Sequence, residues 1–191
     1  KTLISIVPKK TVYGILSVLE SLNITVADLS FNTLADFYEF RNSENKNLLG
    51  AVINIGSEKT EVAIINKGIL TSVDTLFYGG KNIDRDISYI YNINRSDAKR
   101  LKERFALAHK ANASTSETEE VITKEGERIK VNQYEISEIV YSRIKEILDF
   151  SKKQINILTK REISYIIITG GTTEINDFQK VLDEVFNKNI V

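Results

Sequence analysis

The stretch Ile53-Asn54-Ile55-Gly56-Ser57-Glu58-Lys59-Thr60-Glu61-Val62-Ala63 (INIGSEKTEVA, 53–63) sets a glycine turn between two β-branched runs. Glycine and serine suit a tight reversal, and the flanking residues suit two paired strands. Backbone amides at such a turn can cradle an anion, yet an ordinary hairpin turn has the same spelling. On these residues alone both readings stand.

Outward from it, GAVINIG (50–56), TEVAII (60–65) and ILTSVDTLFY (69–78) are joined by SEK and by Asn66-Lys67-Gly68, which predicts an antiparallel meander. Upstream, LISIV (3–7) reads as a strand, and after Pro8 the apolar residues Val12, Ile15, Leu16, Leu19 and Leu22 fall at helical spacing. ITVADL (24–29) reads as a short extended piece, SFNTLADFYEF (30–40) as a helix with Ser30 as its N-cap, and RNSENKN (41–47) as a polar linker. Downstream, helices are predicted over 81–93 and 95–108, a loop over ANASTSETEE (111–120), and a hairpin over 121–131 turning at Glu125-Gly126. Residues 133–160 place Ile136, Val140, Ile144, Ile147, Ile155 and Leu158 close to one helical stripe. SYIIIT (164–169) is a buried strand, Gly170-Gly171 its end, and 173–186 an amphipathic helix that Thr172 or Thr173 could cap. The sum is an α/β unit carrying an inserted lobe.

Composition narrows the chemistry. Lysine plus arginine number 26 against 26 aspartate plus glutamate, so no charge excess favours nucleic acid. With no cysteine and a single histidine, disulfides, thiolate zinc sites and cysteine nucleophiles are excluded. That histidine, His109, lies in the polar run AHKANAS and is expected to be a solvated side chain without a role. No apolar run approaches the roughly 18 residues of a membrane span, and no leader pattern opens the chain, which points to a soluble, cytoplasmic segment. The absence of methionine leads to the expectation that residue 1 is not a natural start.

The order of the glycine segments carries more than any one of them. INIGSEKTEVA (53–63), YGGKNIDRDI (78–87), DAKRLKERF (97–105) and IIITGGTTEI (166–175) follow one another as in the second half of the actin-like ATPase superfamily, and most closely resemble the bacterial cell-division FtsA family. There the hairpin reads D-I-G-G-G-T-T-D-I-A around the β- and γ-phosphates, then V-G-G-N-x-I-x-x-D-I, a helix of type A-E-x-L-K near the adenine, and a strand end T-G-G-x-x-x-I. Residues 7–40 resemble the end of that family's small inserted lobe and the helix returning from it. The resemblance implies an actin-like, ribonuclease H-like half with an inserted helical and hairpin lobe. It implies three regions: 1–47, the end of the small lobe plus the returning helix; 48–77 with 163–191, the core subdomain; and 78–162, the outer lobe. By the same carry-over, Gly56, Ser57, Glu58, Lys59, Thr60, Gly80, Lys102, Gly170, Gly171 and Thr172 stand at the nucleotide, and ATP with Mg²⁺ is the ligand of a full-length parent.

Departures from the family pattern weaken that site. Asn54 stands where the family has a carboxylate that holds hydrated magnesium. Ser57 and Glu58 replace glycines, and Glu58 sets a negative charge near the phosphate position unless it swings to solvent or pairs with Lys59. Like charges about 4 Å apart repel by roughly 1 kcal/mol in water and about 4 at an effective dielectric near 20. Lys99 replaces the family's glutamate on the adenine helix, Lys102 matches its lysine, and Glu61 is one methylene longer than its aspartate. A degraded site is expected, with MgATP bound weakly or not at all by this segment, no metal-ligand cluster and no catalytic residue.

The resemblance also implies partners. The family links filaments of the tubulin-like protein FtsZ to the membrane and self-assembles like actin, at the inner face of the cell membrane. Its outer lobe receives the acidic and apolar FtsZ C-terminal tail, with an arginine in I-x-x-R-x-x-E-I; EIVYSRIKEIL (138–148) puts Arg143 there. As an ordinary helix residue Arg143 would instead pair with Glu146 at i+3. The family's membrane anchor is a C-terminal amphipathic helix, expected beyond Val191 in a longer parent. Two other readings share the superfamily: a working sugar-kinase or chaperone-type ATPase, which needs the residues replaced at Asn54, Ser57 and Glu58, and a type IV pilus assembly adaptor of the PilM kind.

Overall fold

A computed structural model describes residues 6–186. Helices α1 (Lys9–Ser21) and α2 (Asn32–Phe40) precede strands β1 (Leu49–Ile55), β2 (Thr60–Asn66) and β3 (Ile69–Leu76). Then come α3 (Gly80–Ile90), α4 (Arg95–Arg100), the hairpin β4 (Thr118–Ile122) and β5 (Arg128–Asn132), the long α5 (Gln133–Leu158), β6 (Tyr165–Thr169) and α6 (Phe178–Phe186). The main sheet has the order β3-β2-β1-β6, antiparallel across the predicted meander and parallel between β1 and β6.

Alternation along β1 decides what lies on each face of that sheet. Leu49, Ala51, Ile53 and Ile55 join the larger core with Ile83, Ile87, Ile136, Ile144 and Val181 from the helices. Val52 turns the other way, into a smaller cluster with Ala63, Ile65, Tyr165 and Ile167 beneath Phe37 of α2. On this second face Gly50 stands in register with Tyr165, and a β-carbon at Gly50 would lie 2.2 Å from the Tyr165 ring. The aromatic ring therefore occupies the space that a side chain at position 50 would need. Burial pushes the Tyr165 phenol up to about 12.

Helix α5 begins where Asn132 Oδ1 accepts from the Glu135 amide at 2.9 Å, and its apolar stripe buries Ile136, Val140, Ile144, Ile147 and Ile155 as the spacing predicts. Among the described residues no helix is long and apolar enough to cross a membrane.

Several local expectations are corrected. The strand expected over LISIV begins outside the described residues, and Ile6 and Val7 are irregular. ITVADL, read as a short extended piece, belongs to no helix or strand. Helix α2 is preceded by Phe31, not capped by Ser30: the Phe31 carbonyl accepts from Leu34 and Ala35, and its ring packs against the α2-side cluster. Burial of an aromatic outweighs a hydroxyl cap. The helix expected through residue 108 ends in a π turn, Leu101–Phe105, where the Ala106 amide reaches back to the Leu101 carbonyl. Strand β4 starts at Thr118 inside the expected loop, because Thr118–Glu120 pair with Lys130–Asn132 through backbone groups that hydrophobic alternation does not reveal. The helix expected from 173 is a 3₁₀ turn, Gly171–Glu174, and α6 starts only after Asp177, whose φ of 66° breaks the helix.

His109 is not freely solvated. Its side chain is 16% exposed, its Nε2 contacts Glu184 at 2.9 Å, and its ring meets Tyr141 edge-on. The Tyr141 hydroxyl donates to the same carboxylate at 2.7 Å, and these partners hold Glu184 below the usual carboxylate range. The polar flanks of His109 conceal a contact made 75 residues away.

Candidate functional site

Three glycine segments meet at the carboxyl ends of β1 and β6. The Gly56 carbonyl accepts from the Gly80 amide at 2.9 Å and from the Thr172 hydroxyl at 3.3 Å. A β-carbon on Gly79 would lie 2.5 Å from the Gly56 oxygen, and one on Gly170 would lie 2.4 Å from the Ile55 oxygen. These segments approach closely because no side chain intervenes. Gly56, Gly80, Gly170 and Thr172 are thus brought together, with the Lys102 ammonium 3.3 Å from the Gly80 carbonyl. Gly171 touches nothing at its β-carbon position and is exposed.

Hydrogen bonds divide the possible anion donors into used and unused. The α3 amides of Gly80 and Lys81 are spent on the carbonyls of Gly56 and Ser57, and the Gly79 amide on Asn82 Oδ1. The α3 N-terminus is therefore not free for a phosphate. At the hairpin turn, the amides of Ser57, Glu58 and Lys59 find no acceptor among the described residues. These residues are exposed, so their amides are open to water or to an anion. Thr60 turns its hydroxyl to the Tyr78 carbonyl at 2.8 Å and is fully buried, so it serves the fold.

The charges around the turn are paired within the chain. Glu58 does swing into solvent, at 72% exposure, but it pairs with Lys81 of α3; Lys59 pairs instead with Glu61. Lys81 holds the Glu58 carboxyl below its ordinary range. Deeper in, Lys102 lies 2.7 Å from Asp84, both side chains 9% exposed, an ion contact without the alignment of a hydrogen bond. A crevice of about 210 Å³ opens here between Ser57, Gly80, Lys99, Lys102, Thr172 and Ile175. The lysines Lys59, Lys81 and Lys102 around the turn are thereby paired with carboxylates. Lys81 and Asp84 lay within the quoted YGGKNIDRDI, but their partners are separated from them in sequence by 23 and 18 residues, and no local pattern joins them.

A further carboxylate stands at the head of the hairpin. Asn54 Nδ2 donates to Asp36 Oδ2 at 2.8 Å and Thr169 Oγ1 donates to the same oxygen at 2.9 Å. Oδ1 of Asp36 accepts no protein hydrogen bond among the described residues. Magnesium beside phosphate takes one or two carboxylates, with water and phosphate completing its shell, and a ligating carboxylate is itself steadied by hydrogen bonds. Asp36 does not line the crevice, and among the described residues no group of three or more acidic or histidine side chains could hold a metal ion, so this single carboxylate does not meet that requirement.

Arg143 lies apart from this crevice, in the part of α5 that faces α3. Its Nε and Nη2 donate to the two oxygens of Asp86 at 2.7 and 3.1 Å, and Nη1 contacts Glu146. The Glu146 contact follows from i+3 spacing, whereas the bidentate pair with Asp86 does not. It joins the YGGKNIDRDI and EIVYSRIKEIL motifs in space. A groove of about 440 Å³ runs beside them, lined by Ile90 and Ile139 and by Asp86, Glu138 and Glu146 together with Arg143.

Comparison with known proteins bears on the family and the fold. The family described as "Cell division protein FtsA" matches residues 51–191. Cell division protein FtsA of Bacillus subtilis (strain 168) is 26% identical over 184 residues, covering 95% of this chain and 42% of the relative. The chain thus spans less than half the length of that relative. Among solved structures, MreB 5 of Spiroplasma citri bound to AMPPNP superposes with a TM-score of 0.73 at 16% identity, over 98% of this chain and 60% of the other. A PilM-PilN type IV pilus biogenesis complex gives 0.64 at 18% identity, over 95% of this chain and 47% of the other. The fold is actin-like.

Proposed function

The chain belongs to the cell division protein FtsA family, and on that premise we propose that it is the partner-binding half of a cell-division adaptor with a weakened nucleotide site. The observation that carries this reading is the hairpin itself. It keeps the glycine convergence and three open amides of a phosphate turn, while Glu58 and Asp84 occupy Lys81 and Lys102. Nucleotide is then a structural ligand at most, and hydrolysis is no part of the role. The division into 1–47, 48–77 with 163–191, and 78–162 is retained as part of this proposal, as are self-association in the actin manner and residence at the cytoplasmic face of the membrane.

In this reading the FtsZ C-terminal tail docks on the outer lobe beside Arg143. Carboxylates already surround that arginine, so an acidic tail must share it with Asp86. Asp86→Asn should release the guanidinium and tighten the tail peptide severalfold. Arg143→Glu should weaken it by roughly 0.5–2 kcal/mol, about 2- to 30-fold, while Lys153→Glu on the same helix should change little. Fluorescence anisotropy with labelled FtsZ tail peptide, with far-UV circular dichroism as a folding control, reads all three. An Arg143 that only fastens α5 to α3 would give no tightening in Asp86→Asn.

A further inference from the structure

We propose that a hollow between α3 and α4 is a binding site for a small polyphosphate, distinct from the glycine turn and independent of whether the hairpin holds nucleotide. The hollow measures about 520 Å³, within the range of roughly 300–1,000 Å³ typical of small-molecule pockets. It meets the crevice along Lys81, Asp84 and Lys99, whereas Ser57, Gly171 and Thr172 line only the crevice.

Helical spacing builds its charge. Lys81 and Arg85 of α3, and Arg95 and Lys99 of α4, are each four residues apart, so each helix presents two cations on one face. Both pairs line the same space. Like charges at this spacing repel, and here two such pairs are brought together. The two carboxylates in the lining are already engaged: Asp84 lies 2.7 Å from Lys102, and Glu58 lies 2.5 Å from Lys81. Among the described residues neither Arg85 nor Arg95 makes an ion pair or a side-chain hydrogen bond, and Lys99 has only the exposed Glu103, at 3.8 Å. Three cations on one hollow are thus left to solvent or to a ligand.

The rest of the lining selects the class of ligand. Phe77 is its one hydrophobic side chain, so an apolar peptide segment would find little to bury there. Guanidinium groups meet phosphoryl oxygens in bidentate pairs, and a chain of two or three phosphates carries several negative charges in a short length. Phe77 is 81% exposed, and a ring so placed can stack a nucleobase. The phosphates can therefore come from an inorganic chain or from a nucleotide.

The test is calorimetry and nuclear magnetic resonance on the 191-residue chain without divalent metal, with inorganic tripolyphosphate as the probe. Saturable binding that weakens with added salt is expected, with amide shifts centred on residues 81–85 and 95–99. Arg85→Gln and Arg95→Gln should each weaken it about threefold to tenfold, and the double variant should no longer saturate. The thermal midpoint of the double variant should stay within about 2 °C of the parent, since neither arginine has a partner to lose, so lost binding is not lost fold. ATP in parallel names the source: tighter binding that Phe77→Ala removes supports a nucleotide at this site, and equal binding supports the inorganic chain. Shifts centred on residues 57–59 and 170–172, or unchanged affinity in the double variant, overturn the proposal. So does movement of the 85 and 95 signals by an FtsZ tail peptide but not by tripolyphosphate, which would make the hollow a protein-docking face.

Discussion

Gly170→Ala is expected to destabilise the chain by about 4 kcal/mol, lowering the thermal midpoint by roughly 8–16 °C. Two costs combine. Gly170 holds φ 102° and ψ 154°, a region that is nearly glycine-only and costs a side chain on the order of 1–3 kcal/mol. The new methyl would also lie 2.4 Å from the Ile55 oxygen and 2.7 Å from its carbonyl carbon, so β1 and β6 would have to part at the ends that form the crevice. Gly171→Ala is the matched control, with no neighbour within 4 Å of its β-carbon position, and should stay within about 0.5 kcal/mol of the parent. Equal effects in chemical denaturation would mean that the glycine pair is not distinguished as the structure has it.

Lys102→Met should be nearly as damaging, at about 3–5 kcal/mol, because it leaves the Asp84 carboxylate shielded from water without its cation. Coupling this change with Asp84→Asn should recover most of the loss, since no uncompensated charge is then buried. The double-mutant cycle also has a functional arm. If Lys102 mainly serves Asp84, the double variant regains stability without gaining affinity for phosphate; a phosphate-facing Lys102 would show the opposite order, with little loss of stability on its removal.

The sheet was legible because its chemistry is local. Val, Ile and Ala form short apolar runs on both sides of a glycine turn in GAVINIG and TEVAII, and the buried run SYIIIT has the length and bulk of a parallel strand. The long helix was legible from a stripe sustained from Ile136 to Ile155. What stayed hidden depends on contacts between distant residues. Asp36 meets Asn54 across 18 residues and Thr169 across 133, so nothing in NTLADFYEF marks it as part of the hairpin. The i+3 neighbour of Arg143 was visible, and its bidentate partner Asp86, 57 residues earlier, was not. The sequence marks Glu58 as the disruptive charge, but its escape to Lys81 instead of Lys59 depends on α3 being pulled onto the turn by the Gly56 and Ser57 carbonyls. For Ser30, a correct local rule lost to burial of the neighbouring Phe31.

The adaptor reading is tested most directly by partner choice. Fluorescence anisotropy on the 191-residue chain, with an FtsZ C-terminal tail peptide and the N-terminal peptide of a PilN-type pilus protein in parallel, measures it in one assay. The expected result is saturable binding of the FtsZ tail that weakens with added salt, as an acidic segment on a shared arginine requires, and no saturation with the pilus peptide. Saturable binding of the pilus peptide, with the FtsZ tail inert, would contradict the proposed cell-division role and favour a pilus-assembly adaptor on the same actin-like fold.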